Sequence, residues 1–214
     1  VATVTGQGTT GPVTGGSAFL DWAVAGRPVP GEEVSGDTAV HVELDGYEVL
    51  AVVDGLGHGP EAAAAADRAA AVIEGHAGEP FDAVLGQCHA DLARTRGVAM
   101  TIASVGRDGT MHWVGVGNVE AHVLRLEGTR PRRVASAVLY GGVVGYRLPR
   151  HRVSTFDLAA GDLLLIATDG VLIDSLDDLS IGDPVDRLVA TIIERHARPA
   201  DDALVVAARY RGSA

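Results

Sequence analysis

Val49-Leu50-Ala51-Val52-Val53-Asp54-Gly55-Leu56-Gly57-His58-Gly59-Pro60-Glu61-Ala62 runs from an unbroken apolar stretch, through a glycine-rich turn, into an alanine-rich segment. Aliphatic residues without polar alternation predict a strand buried on both faces. Asp54 stands at its end, where a carboxylate can point into open space. Gly55, Gly57 and Gly59 permit positive φ and let the backbone come close to an ion or a phosphate. Pro60 suits the first position of a helix, and Glu61 sets negative charge beside the positive end of the helix dipole. Ala62, Ala65, Ala66, Ala69 and Ile73 then recur at helical spacing, with Gly75 or Gly78 as the stop. A tight strand-to-helix connection with an aspartate cap is the ordinary use of such a stretch, so its meaning depends on its surroundings.

Upstream, Thr38-Ala39-Val40-His41-Val42-Glu43-Leu44 alternates, and Asp45-Gly46 marks a hairpin turn into residues 47–53. A second hairpin is legible in residues 99–105 and 111–116 about Arg107-Asp108-Gly109-Thr110. Residues 121–126 read as a third strand, paired across a long loop with residues 152–158. Residues 163–168 are a near-continuous apolar strand, and residues 204–210 close the chain as another. Two further helices are expected over residues 80–95 and 184–197. Hairpins and helices in separate blocks argue for an α+β fold rather than alternating β/α units. Residues 1–17, rich in Gly and Thr, read as a flexible arm or linker remnant, leaving residues 18–214 as one domain.

The composition, 47% hydrophobic over 214 residues, fits one domain with a sizeable core. Aromatics make up only 4%, so Ala, Val and Leu must fill that core. A net charge of −11 argues against nucleic acid and against an anionic membrane surface, because both demand clustered basic residues. No apolar run approaches the roughly 18 to 20 residues of a membrane span. The longest, residues 163–173, is broken by Asp169 and Gly170. No signal peptide is visible. Cys88 is the only cysteine, which excludes an internal disulfide or a thiolate metal cluster and fits a reducing cytoplasm. Its apolar helical neighbourhood reads as that of a small buried side chain.

Asp54 has counterparts. Leu163-Leu164-Leu165-Ile166-Ala167-Thr168-Asp169-Gly170 is a second apolar strand ending in Asp-Gly. Asp201-Asp202 immediately precede the last strand, and Ser35-Gly36-Asp37 precede an earlier one. A single Asp-Gly is usually a turn. Carboxylates at several strand ends predict convergence at one sheet edge, and hard cations such as Mg²⁺ or Mn²⁺ take this oxygen donor set. His58 reads either as a general acid or outer-shell group, or as a turn residue bonded to its own loop. The other seven histidines show no metal-ligand spacing, and Trp113 reads as core.

The order Ser35-Gly36-Asp37, Asp54-Gly55-Leu56-Gly57-His58-Gly59, Thr168-Asp169-Gly170 and Asp201-Asp202 resembles the protein phosphatase 2C-like (PPM) superfamily, specifically its bacterial SpoIIE and RsbX branch. Trp113-Val114-Gly115-Val116-Gly117-Asn118-Val119-Glu120 and Gly142-Val143-Val144-Gly145-Tyr146 look like further landmarks. Arg27-Pro28-Val29-Pro30-Gly31-Glu32-Glu33 tilts the match toward the compact RsbX-like type. The resemblance covers about residues 20–210. It implies two packed antiparallel sheets flanked by helices, a four-layer α-β-β-α sandwich, with a centre of two divalent cations (Mn²⁺ or Mg²⁺) at one end. By motif position, Asp54 would bridge both ions, the Gly55 carbonyl would bind one, and Asp169 and Asp201 would hold the second. Asp37 would contribute directly or through water, while Asp202 and His58 would stand behind the ligands.

The activity implied is hydrolysis of phosphoserine or phosphothreonine on a cytoplasmic regulatory protein, of the stressosome or anti-anti-sigma STAS type. Animal-type relatives grip the phosphate with an arginine near the amino end. Arg27 is the candidate here, with a solvated surface arginine as its ordinary reading. Two other classes compete. A catalytically inactive docking module would keep the fold and lose the cations. A GHKL-type ATP-binding kinase also carries Asp-x-Gly-x-Gly, but it needs an upstream helix with a Mg²⁺-binding Asn, and a strand precedes Asp54.

Overall fold

The structure, a computed structural model, describes residues 2–5, 11–128, 130–173 and 179–213. Its first half forms β1 (Ala2–Thr5), β2 (Val13–Gly16), β3 (Leu20–Arg27), β4 (Asp37–Leu44), β5 (Tyr47–Gly55), α1 (Pro60–Gly75) and α2 (Phe81–Asp91). There follow β6 (Val98–Gly106), β7 (Thr110–Val116), β8 (Glu120–Glu127), β9 (Arg130–Ser136) and β10 (Leu139–Tyr140). The chain closes with β11 (Ser154–Asp157), β12 (Leu163–Ala167), α3 (Val185–His196) and β13 (Ala203–Tyr210).

Two sheets result. The first runs β1-β4-β5-β6-β7-β10, with β11 also on β7; the second runs β2-β3-β13-β12-β8-β9. Every pairing is antiparallel except the short parallel contact of β10 with β7. Helices α1 and α2 cover the outer face of the first sheet, and α3 covers the second, giving the expected four-layer α+β sandwich.

The unbroken apolar runs are explained by this layering. In β5, Leu50 and Val52 face the second sheet, while Val49, Ala51 and Val53 face α1 and α2. In β12, Leu164 and Ile166 face inward and Leu163, Leu165 and Ala167 meet α3. Each such aliphatic side chain contributes roughly 1.5 to 3 kcal/mol by leaving water. Alanine dominates α1 because its buried face, which includes Ala62, Ala65, Ala66 and Ala69, lies close on the sheet. Cys88 is buried in the same layer, as its sequence context implies. Trp113 is core, while His41 meets buried Glu48 at 2.5 Å and stacks near Trp22.

Three expectations are corrected. Residues 152–158 do not pair with residues 121–126; β11 joins β7 in the first sheet, and β8 pairs with β9 and β12. The partner β9 is an edge strand that needs no apolar alternation, since its backbone alone makes the ladder. Within the segment expected to be an arm, residues 2–5 and 13–16 pair instead: β1 extends the first sheet along β4, and β2 extends the second along β3. Here too edge pairing uses backbone groups, and Gly15 is there because a Cβ would lie 2.4 Å from the Trp22 ring. The helix expected to reach residue 95 ends at Asp91, capped by Leu92. Among the described residues no helix is long and apolar enough to cross a membrane.

Candidate metal centre

Asp37 opens β4 and Asp54 lies near the end of β5, as partners in register. Asp169 follows β12, and Asp201 precedes β13, which pairs with β12 from Ala167↔Val205 onward. The carboxylates therefore arrive from both sheets at one end of the sandwich, not along a single sheet edge. Asp54, Asp169 and Asp201 line a cavity of about 460 Å³ together with His58 and Asn118. Asp37 is buried and is not among the residues lining that space.

Local sterics fix the turns that deliver these groups. A Cβ on Gly55 would lie 2.2 Å from the Ala62 carbonyl oxygen, so glycine lets α1 start directly against β5. A Cβ on Gly170 would lie 1.7 Å from the Asp202 carbonyl oxygen, so the second Asp-Gly packs against the segment entering β13. Gly57 and Gly59 both take positive φ, as expected of the turn between them.

The electrostatics are those of crowded carboxylates. Burial, and then the charge of Asp54, push the Asp37 carboxyl well above its usual range, against a lowering hydrogen bond from Thr168. Burial, and then repulsion from Asp169, Asp201 and Asp202, push Asp54 up to about 7. Asp201 is also raised, first by burial and then by Asp169. The charges acting on Asp54 are all carboxylates; a cation would relieve that repulsion, and the donors are the hard oxygens that Mg²⁺ and Mn²⁺ take. The residues fit such an ion. Among the described residues no three acidic, histidine or cysteine side chains already close into an ion-sized cage. Mg²⁺ tolerates this, because it keeps several waters and is often held by one or two carboxylates.

Asp202 has a different task from its neighbour. One of its oxygens accepts the Val29 amide N–H and the other the Gly36 amide N–H, both at 2.7 Å. It is buried and ties the segment from Val29 to Gly36 onto the start of β13. Asp201 is half-buried and turns into the cavity. His58 is exposed at the rim, with Nδ1 3.0 Å from Glu32 Oε1. Arg27 donates to the carbonyls of Pro28, Arg198 and Asp201, so it braces backbone around the site. Other histidines have local partners: His151 meets Asp82, and His76 meets Glu79.

Three neighbours have no role assigned from sequence, although Asn118 and Thr168 lie within the motifs quoted above. Asn118 Nδ2 donates to Asp169 Oδ2 at 2.6 Å. Thr168 Oγ1 donates to Asp37 Oδ2 at 2.8 Å and accepts the Leu204 amide N–H at 3.0 Å. The Arg96 guanidinium lies beside Gly57 and pairs with Glu61 at 2.5 Å. The Gly117-Asn118 turn after β7 was the available signal for Asn118. Arg96 carries none, since only the fold brings it beside Gly57, which lines the cavity.

Comparison with known proteins agrees with this architecture. The family described as stage II sporulation protein E (SpoIIE) matches residues 45–211. A chain from a structural study of the bacterial stressosome, described as a modular system adapted to control secondary messenger signalling, is 29% identical. It superposes with a TM-score of 0.80 over 89% of this chain and 99% of its own. RsbX in complex with magnesium is 16% identical, with a TM-score of 0.81 over 93% of this chain and 99% of its own. The PPM Ser-Thr phosphatase MsPP from Mycobacterium smegmatis, in complex with cacodylate, is 18% identical, with a TM-score of 0.71 over 92% and 100%. The last two likenesses speak to the fold alone. A comparison with curated protein sequences gives no match.

Proposed function

The chain belongs to the SpoIIE family, and from that premise we propose that it is a metal-dependent phosphatase acting on phosphoserine or phosphothreonine of a regulatory protein. The observation that carries this reading is the set of mutually repelling carboxylates, Asp54, Asp169 and Asp201, around one cavity with Asp37 behind them. Asp54, the Gly55 carbonyl, Asp169 and Asp201 would hold two divalent cations, Mn²⁺ or Mg²⁺, and Asp37 would contribute directly or through water. When bound, such ions supply an acidified water and neutralise charge on a phosphoryl group.

The chain's own residues do the rest. Asn118 fixes the orientation of Asp169, and Thr168 fixes that of Asp37. Asp202 holds the backbone that leads into Asp37. His58, exposed and lining the cavity beside Glu32, would exchange a proton with a leaving alkoxide or with solvent. The stressosome-related likeness supports a stressosome-type phosphoprotein as the substrate; a STAS-type protein of stress or sigma-factor signalling in the cytoplasm is the finer form of the proposal. The kinase reading falls with the fold, because a strand and not an Asn-bearing helix leads into Asp54. The docking-module reading is favoured only by the lack of a preformed ion cage among the described residues.

The test is hydrolysis of p-nitrophenyl phosphate with Mn²⁺, with and without EDTA, by the wild type and by Asp54→Ala. Metal-dependent turnover lost in the variant is expected. Undiminished turnover in Asp54→Ala would sink the assignment. A wild type that is folded but shows neither turnover nor Mn²⁺ binding by calorimetry would be a docking module.

A further inference from the structure

The positive charge of this chain is unevenly placed. It has no lysine, and of its 17 arginines six lie in residues 128–156, which contain no aspartate or glutamate, although the whole chain carries −11. Elsewhere arginines commonly meet carboxylates, as in Arg68–Asp91, Arg96–Glu61, Arg125–Asp162 and Arg211–Asp21. Within the basic segment, Arg132 reaches back to Glu127. Arg147, Arg150 and Arg152 are exposed and have no ion-pair partner among the described residues.

These three arginines sit on a loop that is held in place. The Gly145 amide donates to His89 Nδ1 at 2.9 Å, His151 Nε2 meets Asp82 at 2.9 Å, and Val98 and Val144 exchange backbone hydrogen bonds. The same loop forms one wall of the acidic cavity through Gly141, Gly142 and Val143. A Cβ on Gly142 would lie 2.6 Å from the Arg147 carbonyl oxygen and 2.7 Å from the Pro149 ring. The backbone carrying Arg147 and Arg150 therefore runs directly behind that wall. At the apex, between Gly145 and Arg147, Tyr146 is 85% exposed, more than any other large hydrophobic side chain described.

Isolated surface arginines are ordinarily just solvated. Here the position and the sign of the surroundings say more. A phosphate dianion approaching a carboxylate-lined cavity on an acidic protein is repelled, and a positive rim reverses the local field. Tyrosine and arginine are also the side chains that most often anchor protein interfaces. We propose that Tyr146, Arg147, Arg150 and Arg152 form a docking surface for an acidic segment of the phosphoprotein partner, one with aspartates or glutamates flanking the phosphorylated residue. The phosphorylated residue rests on the phosphatase reading; the acidic flank rests on the loop alone.

The test uses two fluorescent phosphoserine peptides of equal length, one flanked by Asp and Glu and one by Ser and Asn. Their binding to the protein is read by anisotropy at low and high salt. The wild type should bind the acidic peptide about tenfold tighter at low salt, with the advantage shrinking at high salt. Arg147→Glu/Arg150→Glu should abolish the preference. Arg187→Glu/Arg195→Glu, an equal charge change on the exposed face of α3, should keep it. Tyr146→Ala should weaken both peptides without changing their ratio. Equal affinity of the wild type for the two peptides, or a preference that survives Arg147→Glu/Arg150→Glu, overturns the proposal. A wild type that prefers the acidic peptide yet shows neither p-nitrophenyl phosphate turnover nor Mn²⁺ binding by calorimetry supports the docking surface and refutes the phosphatase reading.

Discussion

Asp37 and Asp54 are partners in antiparallel register on β4 and β5, two carboxylates set side by side where the sheet ends. Like charges so placed destabilise a sheet unless something neutralises them. Protons do so at low pH, and a cation would do so at neutral pH.

The metal-free protein should therefore lose stability as pH rises. Asp54 is raised from 3.8 to about 7 by burial and by neighbouring carboxylates. Below about pH 4 folded and unfolded chains both hold the proton, so the group contributes no pH dependence. Between about 4 and 7 the unfolded chain gives it up and the folded one keeps it, so unfolding free energy falls with pH, and above 7 it levels off. The total fall is on the order of 4 kcal/mol from this group. Urea melts in EDTA across this range should show it, and Mn²⁺ at pH 8 should recover it. Asp54→Asn should stabilise the metal-free form at pH 8 by about 1 to 3 kcal/mol while abolishing turnover.

Asp201 and Asp202 should separate cleanly by experiment. Asn in place of Asp202 would leave one amide N–H of Val29 or Gly36 facing an NH₂ group, both of them now donors. That loss of a buried charged hydrogen bond costs about 1.5 to 3 kcal/mol. Asp201→Asn, at the cavity wall, should cost little stability and much Mn²⁺ affinity. Denaturant midpoints and calorimetric Mn²⁺ titration of both variants check this ordering.

Asn118→Ala should loosen Asp169 without touching the core, since their bond is at the cavity surface. Residues that orient metal ligands typically govern about 10- to 100-fold in affinity or activity. The Mn²⁺ concentration for half-maximal turnover should rise accordingly, with the thermal midpoint unchanged.

Two glycine substitutions should move stability in opposite directions. Gly86 lies in α2 with open space around its missing side chain, so Gly86→Ala should stabilise by about 0.5 to 1 kcal/mol. Gly170→Ala would drive a methyl into the Asp202 backbone and should cost about 3 kcal/mol or more. Thermal melts of the two variants decide.

Much of this architecture was readable beforehand because the decisive signals are local. The turns at Asp45-Gly46 and Arg107-Asp108-Gly109 sit between strands whose burial forces apolar runs, and Pro60 sits at the start of its helix. The edge strands were not readable. β9 exposes Arg130, Arg132 and Arg133, and β1 and β2 are mostly small residues, so pairing comes from backbone groups that every sequence possesses. The β7 partner of β11 is a question of where a long loop returns, which local patterning does not record. In the site, the acidic positions were legible as strand ends. The division of labour within Asp201-Asp202 came from the family resemblance and not from the residues themselves, because adjacent residues on extended chain point to opposite sides and the local pattern does not say which faces the cavity.

Two hydrogen bonds described above cross between the sheets at the acidic end: Thr168 to Asp37, and Gly36 to Asp202. Both are buried, and both join the start of β4 to the segments around β12 and β13. Mechanically, this is the clamped end of a two-leaf spring. The leaves cannot slide or splay here without breaking buried polar bonds. Whatever must move to admit a bulky partner then falls to the surface loops, and the frame that aligns the carboxylates stays still while they do so.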